Sequence, residues 1–480
     1  MSLPSSAATS ASGLSTLESS LRKDLALLDY PKRPWVLSRR TRDGRPILDV
    51  LIVGGGQSGL AAAFGLLREK VDNLLVVDDS APGLSGPWKT FARMHTLRTP
   101  KHLTGPDLNL PHLCFQTWYE AQYGAAAWEA LTFIPKELWA DYLGWYRQVL
   151  SIPVRSHSRV GALSWLADEQ CFAVPVHATD KPGPEETLLA RKVVLATGID
   201  GSGRWETPAQ VAGLPRELWA HTRDDIDFEA LHGKRIGVLG AGASAFDNAS
   251  VALERGAGEV HLFYRRKTLP TINPYRWAEF VGFLKHHGDL PDADRWRFIR
   301  RILEMGQLPP HDTYQRARAL PHFHLHASSP WLDVQAENGA VRVTTPEGSF
   351  TFDKIIIGSG TVTDLSLRPE LVHLFDDIAL WKDRYTPPPT EAHADLARHP
   401  YLGPGFEFQE KDPGRAPHLG SVFNYTFGCL LSLGFGGASI SGMKYSLPRL
   451  VSAITRQLYL DDKDAYFDSL MKFDLKEFEP

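Results

Sequence analysis

Apolar positions along this chain gather twice into one pattern. A short uninterrupted apolar run meets a glycine-rich turn, and an Ala-rich stretch with helical spacing follows. The first instance starts at Asp49 (DVLIVGGGQSGLAAAFGLL) and the second at Lys234 (KRIGVLGAGASAFDNA). An apolar run bounded by turn residues predicts a buried strand, so each instance predicts a strand–turn–helix. A second apolar run closes each unit: NLLVV in the first, EVHLF in the second. That is the βαβ signature of a parallel sheet.

Elsewhere apolar and polar residues alternate. VGALSWLA and CFAVPVHA predict antiparallel strands and lead into RKVVLATGIDG, an apolar strand ending on Thr197 and Gly198. The same order returns in HFHLHASSPWLDV, AVRVTTPE and SFTFDKIIIGSGT. The expected fold class is therefore α/β: two nested Rossmann-like dinucleotide-binding domains, each with a small antiparallel β layer, plus a helical insertion in the second. The expected boundaries are a tail and helix over 1–45, the first domain over 46–205, the second over 206–355 with its insertion near 273–320, and the first domain's return with a C-terminal helix over 356–480. The aromatic-rich stretch from Phe115 to Trp145 predicts helices that pack in a core, wall a domain interface or line a substrate channel.

Composition narrows the class. At 480 residues the chain can bury two or more cores. A formal net charge of -4 gives no electrostatic ground for nucleic acid or an anionic membrane. Cys114, Cys171 and Cys429 are far apart and no CxxC occurs, so neither a redox dithiol nor a zinc ribbon is encoded, and a cytoplasmic location is expected. The N-terminus has no apolar signal-peptide core, and its Ser/Ala bias predicts a flexible tail to about residue 15. The uncharged runs 51–67 and 424–443 are broken by glycines or serines, so no membrane span is expected. The helical stretch TLESSLRKDLALLDY can pack on its own domain or on a second subunit, which leaves a homodimer open.

The two glycine turns carry the chemistry. Gly54, Gly56 and Gly59 form G-x-G-x-x-G, with Gln57 and Ser58 between them at the start of the helix. The glycines allow a tight turn, close approach of a pyrophosphate and helix-on-strand packing, and the helix N-terminus offers N–H donors and partial positive charge. Asp78 ends the second strand and can accept hydrogen bonds from ribose hydroxyls. Gly240, Gly242 and Ala245 form G-x-G-x-x-A around Ser244, but here the second strand ends in YRRK. An acid at that place would repel a ribose 2′-phosphate, whereas Arg265 and Arg266 can grip one bidentately. The first unit is thus expected to hold a dinucleotide with free ribose hydroxyls and the second NADPH.

Other features yield to plainer readings. His322, His324 and His326 alternate onto one strand face, but no cysteine or second cluster stands beside them, so no metal is expected and the strand reads as a solvated member of the antiparallel layer. His286 and His287 read as a helix surface, and RWRFIRR as a solvated amphipathic helix. GASAF around Ser244 lacks the last glycine of a nucleophile elbow.

Together, GGGQSG, GPWK with Trp88, LRTPKHLTGPDLNLP with Thr99, LATG, GAGASAFD with YRRK, and IIIGSGTVTD resemble the class B flavin-dependent monooxygenases over about residues 46–450. The chain departs from that family where Gly213 and His221 stand eight apart (221 − 213) instead of four, and where Pro100 follows Thr99. The resemblance implies FAD in the first unit and NADPH in the second. It implies an enzyme in which reduced flavin reacts with O2 to give a C4a-(hydro)peroxyflavin that oxygenates a small organic substrate. It also implies that Gly54, Gly56, Gly59, Asp78, Trp88 and Thr99 touch FAD, with Thr197 and Gly198 at the first domain crossover. Gly437, in the 434–439 turn, is expected at the flavin pyrimidine ring, and Gly240, Gly242, Ser244, Arg265 and Arg266 at NADPH. No catalytic side chain stands out. The same motifs fit an FAD-dependent reductase with another electron acceptor, or a non-catalytic nucleotide sensor.

Overall fold

The first apolar run becomes the strand Pro46–Val53, in which Val50, Leu51 and Ile52 are fully buried. The computed structural model describes residues 7–102 and 104–478. In it this strand sits inside a nine-stranded sheet whose main path runs Val154–Arg155, Leu74–Val77, Pro46–Val53, Glu186–Leu195, Cys171–Ala178, Ser158–Val160. The strand Glu186–Leu195 serves two regimes. Its N-terminal half pairs antiparallel with Cys171–Ala178, and its C-terminal half pairs parallel with Pro46–Val53. The first antiparallel layer is thus continuous with the parallel sheet. The chain then leaves this sheet and returns late: Val422–Asn424 pairs parallel with Glu186–Leu195.

The second sheet has five parallel strands, in the order Trp219–His221, Lys354–Ile357, Arg235–Leu239, Glu259–Phe263, Phe323–His326. HFHLH therefore does not join the antiparallel layer. It follows the helix His311–Ala319, which packs beside the helix Ala243–Glu254, and this crossover delivers it parallel to the sheet edge. The layer itself is Asp333–Glu337, Ala340–Thr345 and Gly348–Phe352. It covers one face of the parallel sheet by setting Phe350 and Phe352 against Phe263. A two-stranded ribbon, Gly203–Trp205 with Thr361–Thr363, ties the outgoing and returning crossovers together.

The N-terminal segment is helical from Ala7 to Leu27, where Ser/Ala composition predicted a tail to about residue 15; residues 1–6 of that predicted tail lie outside the described residues. Alanine is a strong helix former, and tertiary contact supplies the rest. Gly13 abuts the Ala121 carbonyl, and Leu17 and Leu21 are buried against the first core. The helix thus packs on its own domain. The aromatic stretch also serves that core, with Trp128, Tyr142 and Tyr146 almost fully buried.

The insertion is helical, as expected, and includes Val281–His286 and Asp292–Met305. Two of its residues depart from the sequence reading. His287 is not on a surface: it is 1% exposed, packed against Phe283 and the 434 turn. Arg295 of RWRFIRR is not solvated: its Nη1 donates to the Ser432 carbonyl at 3.0 Å, and its guanidinium lies over the Trp381 ring. Both residues are drawn inward because the insertion closes over the segment Leu430–Leu433, burying Trp296, Trp381 and Leu431 together. The C-terminal helix Ile440–Asp461 is anchored by the buried Arg191, which binds Asp49 at 3.2 Å and Asp462 at 2.9 Å. Among the described residues no helix is long and apolar enough to cross a membrane.

Candidate active site

The first turn is forced by its glycines. Gly54 adopts φ +109°, and a Cβ there would stand 2.6 Å from the Ala196 carbonyl oxygen. A Cβ on Gly59 would collide with the Gly54 carbonyl, so helix and turn touch backbone to backbone. Gly56 begins the helix Gln57–Arg68 with no side-chain cap, which leaves the first amides free for an anion. Asp78 is 8% exposed, and both its oxygens already accept backbone hydrogen bonds: Oδ2 from Gly55 N–H at 2.6 Å and Oδ1 from Ser80 N–H at 2.9 Å. A carboxylate oxygen has more than one acceptor site, so this anchoring aims the group without exhausting it.

Other expected residues converge on this turn. A Cβ on Gly56 would stand 4.0 Å from the Gly86 Cα of the GPWK loop, and the Trp88 carbonyl accepts from Lys136 Nζ at 3.0 Å. Gln57 Oε1 accepts from Trp139 Nε1 at 3.2 Å. The Ser58 hydroxyl donates to the Gly437 carbonyl, which seats the 434–439 turn on the start of the first helix. Ser439 then caps the helix Ile440–Asp461 by accepting from Gly442 N–H at 3.4 Å. Thr99 is half-buried beside Arg98. At the C-terminal ends of paired strands, Thr197 Oγ1 and Asn424 Nδ2 are buried without a hydrogen-bond partner. Ligands of open α/β sheets bind at such ends, and two unpartnered polar atoms there fit a polar cofactor.

The second turn repeats the plan. Gly240 has φ +137°, and a Cβ on it would strike the Gly358 carbonyl. The Ala245 Cβ stands 3.0 Å from the Cβ position of Gly358. Gly242 starts the helix Ala243–Glu254 uncapped and faces open space, and Ser244 is exposed on its first turn. Past the buried Tyr264, Arg265 and Arg266 are exposed, and Arg266 Nη1 reaches the Met305 carbonyl at only 3.4 Å. An uncapped helix start with two loosely held arginines beside it fits a phosphorylated dinucleotide.

Several residues at this junction were not singled out from sequence. Asp247 is 2% exposed on the second helix and accepts from Arg98 Nη2 at 2.6 Å and from the Thr313 hydroxyl at 3.2 Å. Burial raises its pKa, opposed by Arg98 and Arg316. An acid on an otherwise apolar helix face was the available signal. His287, read from the sequence as a helix surface, makes a 3.3 Å contact from Nε2 to the Leu431 carbonyl, and burial pushes its pKa down to about 4. Asn424 and Thr426, joined at 2.6 Å, had no local sequence signal at all.

Over 470 residues the chain is 45% identical to the FAD-dependent urate hydroxylase of Xanthomonas campestris pv. campestris, a match covering 97% of each chain. The chain belongs to the class B flavin-dependent monooxygenases. A family model for FAD-NAD(P)-binding matches residues 51–200 of this monooxygenase, and one for L-lysine 6-monooxygenase/L-ornithine 5-monooxygenase matches residues 127–279. Its fold is that of the ornithine hydroxylase of Pseudomonas aeruginosa (TM-score 0.67, 15% identity, 86% of this chain and 100% of that one). The L-lysine 6-monooxygenase of Pseudomonas syringae is similar (TM-score 0.63, 18% identity, 85% and 99%). The monooxygenase uses FAD and NADP(H) to oxygenate a small molecule.

Proposed function

We propose that this monooxygenase hydroxylates urate, or a purine closely related to it, at the expense of NADPH and O2. The observation that carries this reading is the end-to-end 45% identity to a urate hydroxylase. Likeness to amino-acid hydroxylases is confined to the fold and to part of the chain. Urate has no C–H bond, so the hydroxyl goes onto a carbon of the ring C=C bond while a ring N–H gives up its proton and a C=N bond forms; urate, O2, NADPH and a proton give the hydroxylated purine, water and NADP+.

Bound FAD supplies the redox chemistry, accepting a hydride from NADPH and, once reduced, activating O2. The protein's part is to bind and orient. We assign the FAD pyrophosphate to the turn around Gly54, Gly56 and Gly59 with the amides of Gln57 and Ser58, and a ribose to Asp78. Trp88, Thr99, Thr197, Gly198 and Gly437 border the flavin. We assign NADPH to Gly240, Gly242, Ser244 and Ala245, with its 2′-phosphate on Arg265 and Arg266. The domains divide accordingly: FAD over 46–205 and 356–480, NADPH over 206–355. The insertion, through His287 and Arg295, holds the 430–435 segment next to Gly437 and so walls the site from water.

The test is a turnover assay on the flavin-loaded enzyme. Urate is expected to stimulate NADPH oxidation and O2 uptake in equal amounts, with loss of the urate ultraviolet band. Stimulation by L-ornithine or L-lysine with none by urate would overturn the substrate assignment and favour amine hydroxylation.

A further inference from the structure

The geometry points to a transition-metal site on the NADPH-binding sheet, held by Glu259, His261 and His324. Glu259 and His261 lie two residues apart on one strand, so they share a face. His324 is the register partner of His261 on the neighbouring edge strand. Three donor atoms result: Glu259 Oε1 is 2.8 Å from His261 Nε2 and 3.1 Å from His324 Nε2, and all three lie within 4.8 Å of one another. Ligands on a tetrahedral ion at about 2.0–2.1 Å stand roughly 3.3 Å apart, so the two edges that meet at Glu259 need only a small expansion.

The hydrogen-bond chain behind the triangle fixes its chemistry. His326 Nδ1 meets the Glu347 carboxylate at 2.8 Å, and His326 Nε2 meets His261 Nδ1 at 2.9 Å. A carboxylate only accepts, so His326 donates from Nδ1 to Glu347; with His261 donating from Nδ1 to His326 Nε2, the chain leaves His261 Nε2 as the lone pair that a metal ligand needs. His261 is 6% exposed, and this nitrogen makes no hydrogen bond. Glu259 is oriented by Arg235, whose Nε donates to Oε2 at 2.9 Å and leaves Oε1 for the ion. A carboxylate–histidine chain behind a ligating imidazole is the usual outer support of a metal site.

Two imidazoles and one carboxylate suit Zn2+ or a similar divalent first-row cation. Glu259 is 30% and His324 44% exposed, so an ion can enter from solvent and keep water as a fourth ligand. A bound ion pins the edge strand Phe323–His326 to the strand Glu259–Phe263, which leads into Arg265 and Arg266.

The experiment is calorimetric titration of Zn2+ into the chelator-treated, flavin-loaded enzyme, with Co2+ as a spectroscopic substitute. One saturable Zn2+ per chain is expected. His324→Ala and Glu259→Gln should each weaken it roughly tenfold or more, and His326→Ala by about ten- to a hundredfold. His324 is exposed, so its variant should keep its flavin and its flavin spectrum. His177, whose pair with Glu185 at 3.1 Å is solvent-exposed, serves as control. Absence of saturable binding, or binding lost in His177→Ala and unchanged in His324→Ala, overturns the site. Visible Co2+ bands that survive in Glu259→Gln and His324→Ala overturn it as well.

Discussion

Arg98 donates to the Asp247 carboxylate at 2.6 Å, joining the segment that carries Thr99 to the helix of the second glycine turn. Asp247 is almost completely buried, and the next cation, Arg316, is 3.9 Å away. Breaking a buried pair from one side leaves an uncompensated charge and costs about 3–5 kcal/mol. Arg98 is a third exposed, so Arg98→Met is expected to fall below that range, near ~2 kcal/mol. A fall in the thermal midpoint, with slower flavin reduction by NADPH and unchanged reduction by dithionite, is the expected pattern. Equal slowing by both reductants would show that the pair serves the flavin alone.

Arg265 and Arg266 set the cofactor preference. Charge-assisted hydrogen bonds are worth about 1.5–3 kcal/mol, so replacing both with Ala should raise the KM for NADPH roughly tenfold or more. The KM for NADH should stay nearly constant, because NADH carries no 2′-phosphate. Parallel steady-state titrations with the two cofactors decide it.

The two turn glycines separate the two cofactors. Gly54→Ala places a Cβ at φ +109° and 2.6 Å from the Ala196 carbonyl, a strain of about 1–3 kcal/mol before the clash is counted. That variant should purify without yellow colour. Gly240→Ala strikes the Gly358 carbonyl instead. It should stay yellow, be reduced by dithionite and respond poorly to NADPH.

Acid should destabilise the fold through His287 and His399, both pushed down to about 4 by burial. In the folded state they stay neutral, while the unfolded chain protonates them below the ordinary value of 6.5. Between those values the unfolded state binds more protons, so stability rises with pH and is lost as pH falls from 6.5 toward 4. The full shift corresponds to up to about 3 kcal/mol per histidine. Thermal midpoints across this window should drop less steeply in His287→Gln; an unchanged slope would remove His287 from the account.

Much of the site was legible because its determinants are local. A glycine that must take positive φ, an apolar strand before it and a charged residue ending the next strand all lie within one short window, as at Gly54 with Asp78 and Gly240 with Arg265. The Arg98–Asp247 pair was not legible, since nothing near either residue encodes the other. HFHLH was misplaced because alternation does not distinguish a parallel edge strand from an antiparallel one; the helix delivering it decided that. The Ser/Ala N-terminus looked like a tail because its partner, the Ala121 carbonyl, is more than a hundred residues away.

The late return of Val422–Asn424 bears on how the chain is made. Its register partner Val193 is 229 residues earlier (422 − 193). At about 5–20 residues per second, the ribosome takes roughly 11–46 s to cross that distance. Throughout, the C-terminal half of Glu186–Leu195 presents an unpaired apolar edge, the kind of surface that recruits foreign strands. A nascent chain stopped before residue 422 is therefore sticky rather than merely incomplete, because that edge stays open until Val422–Asn424 arrives to cover it.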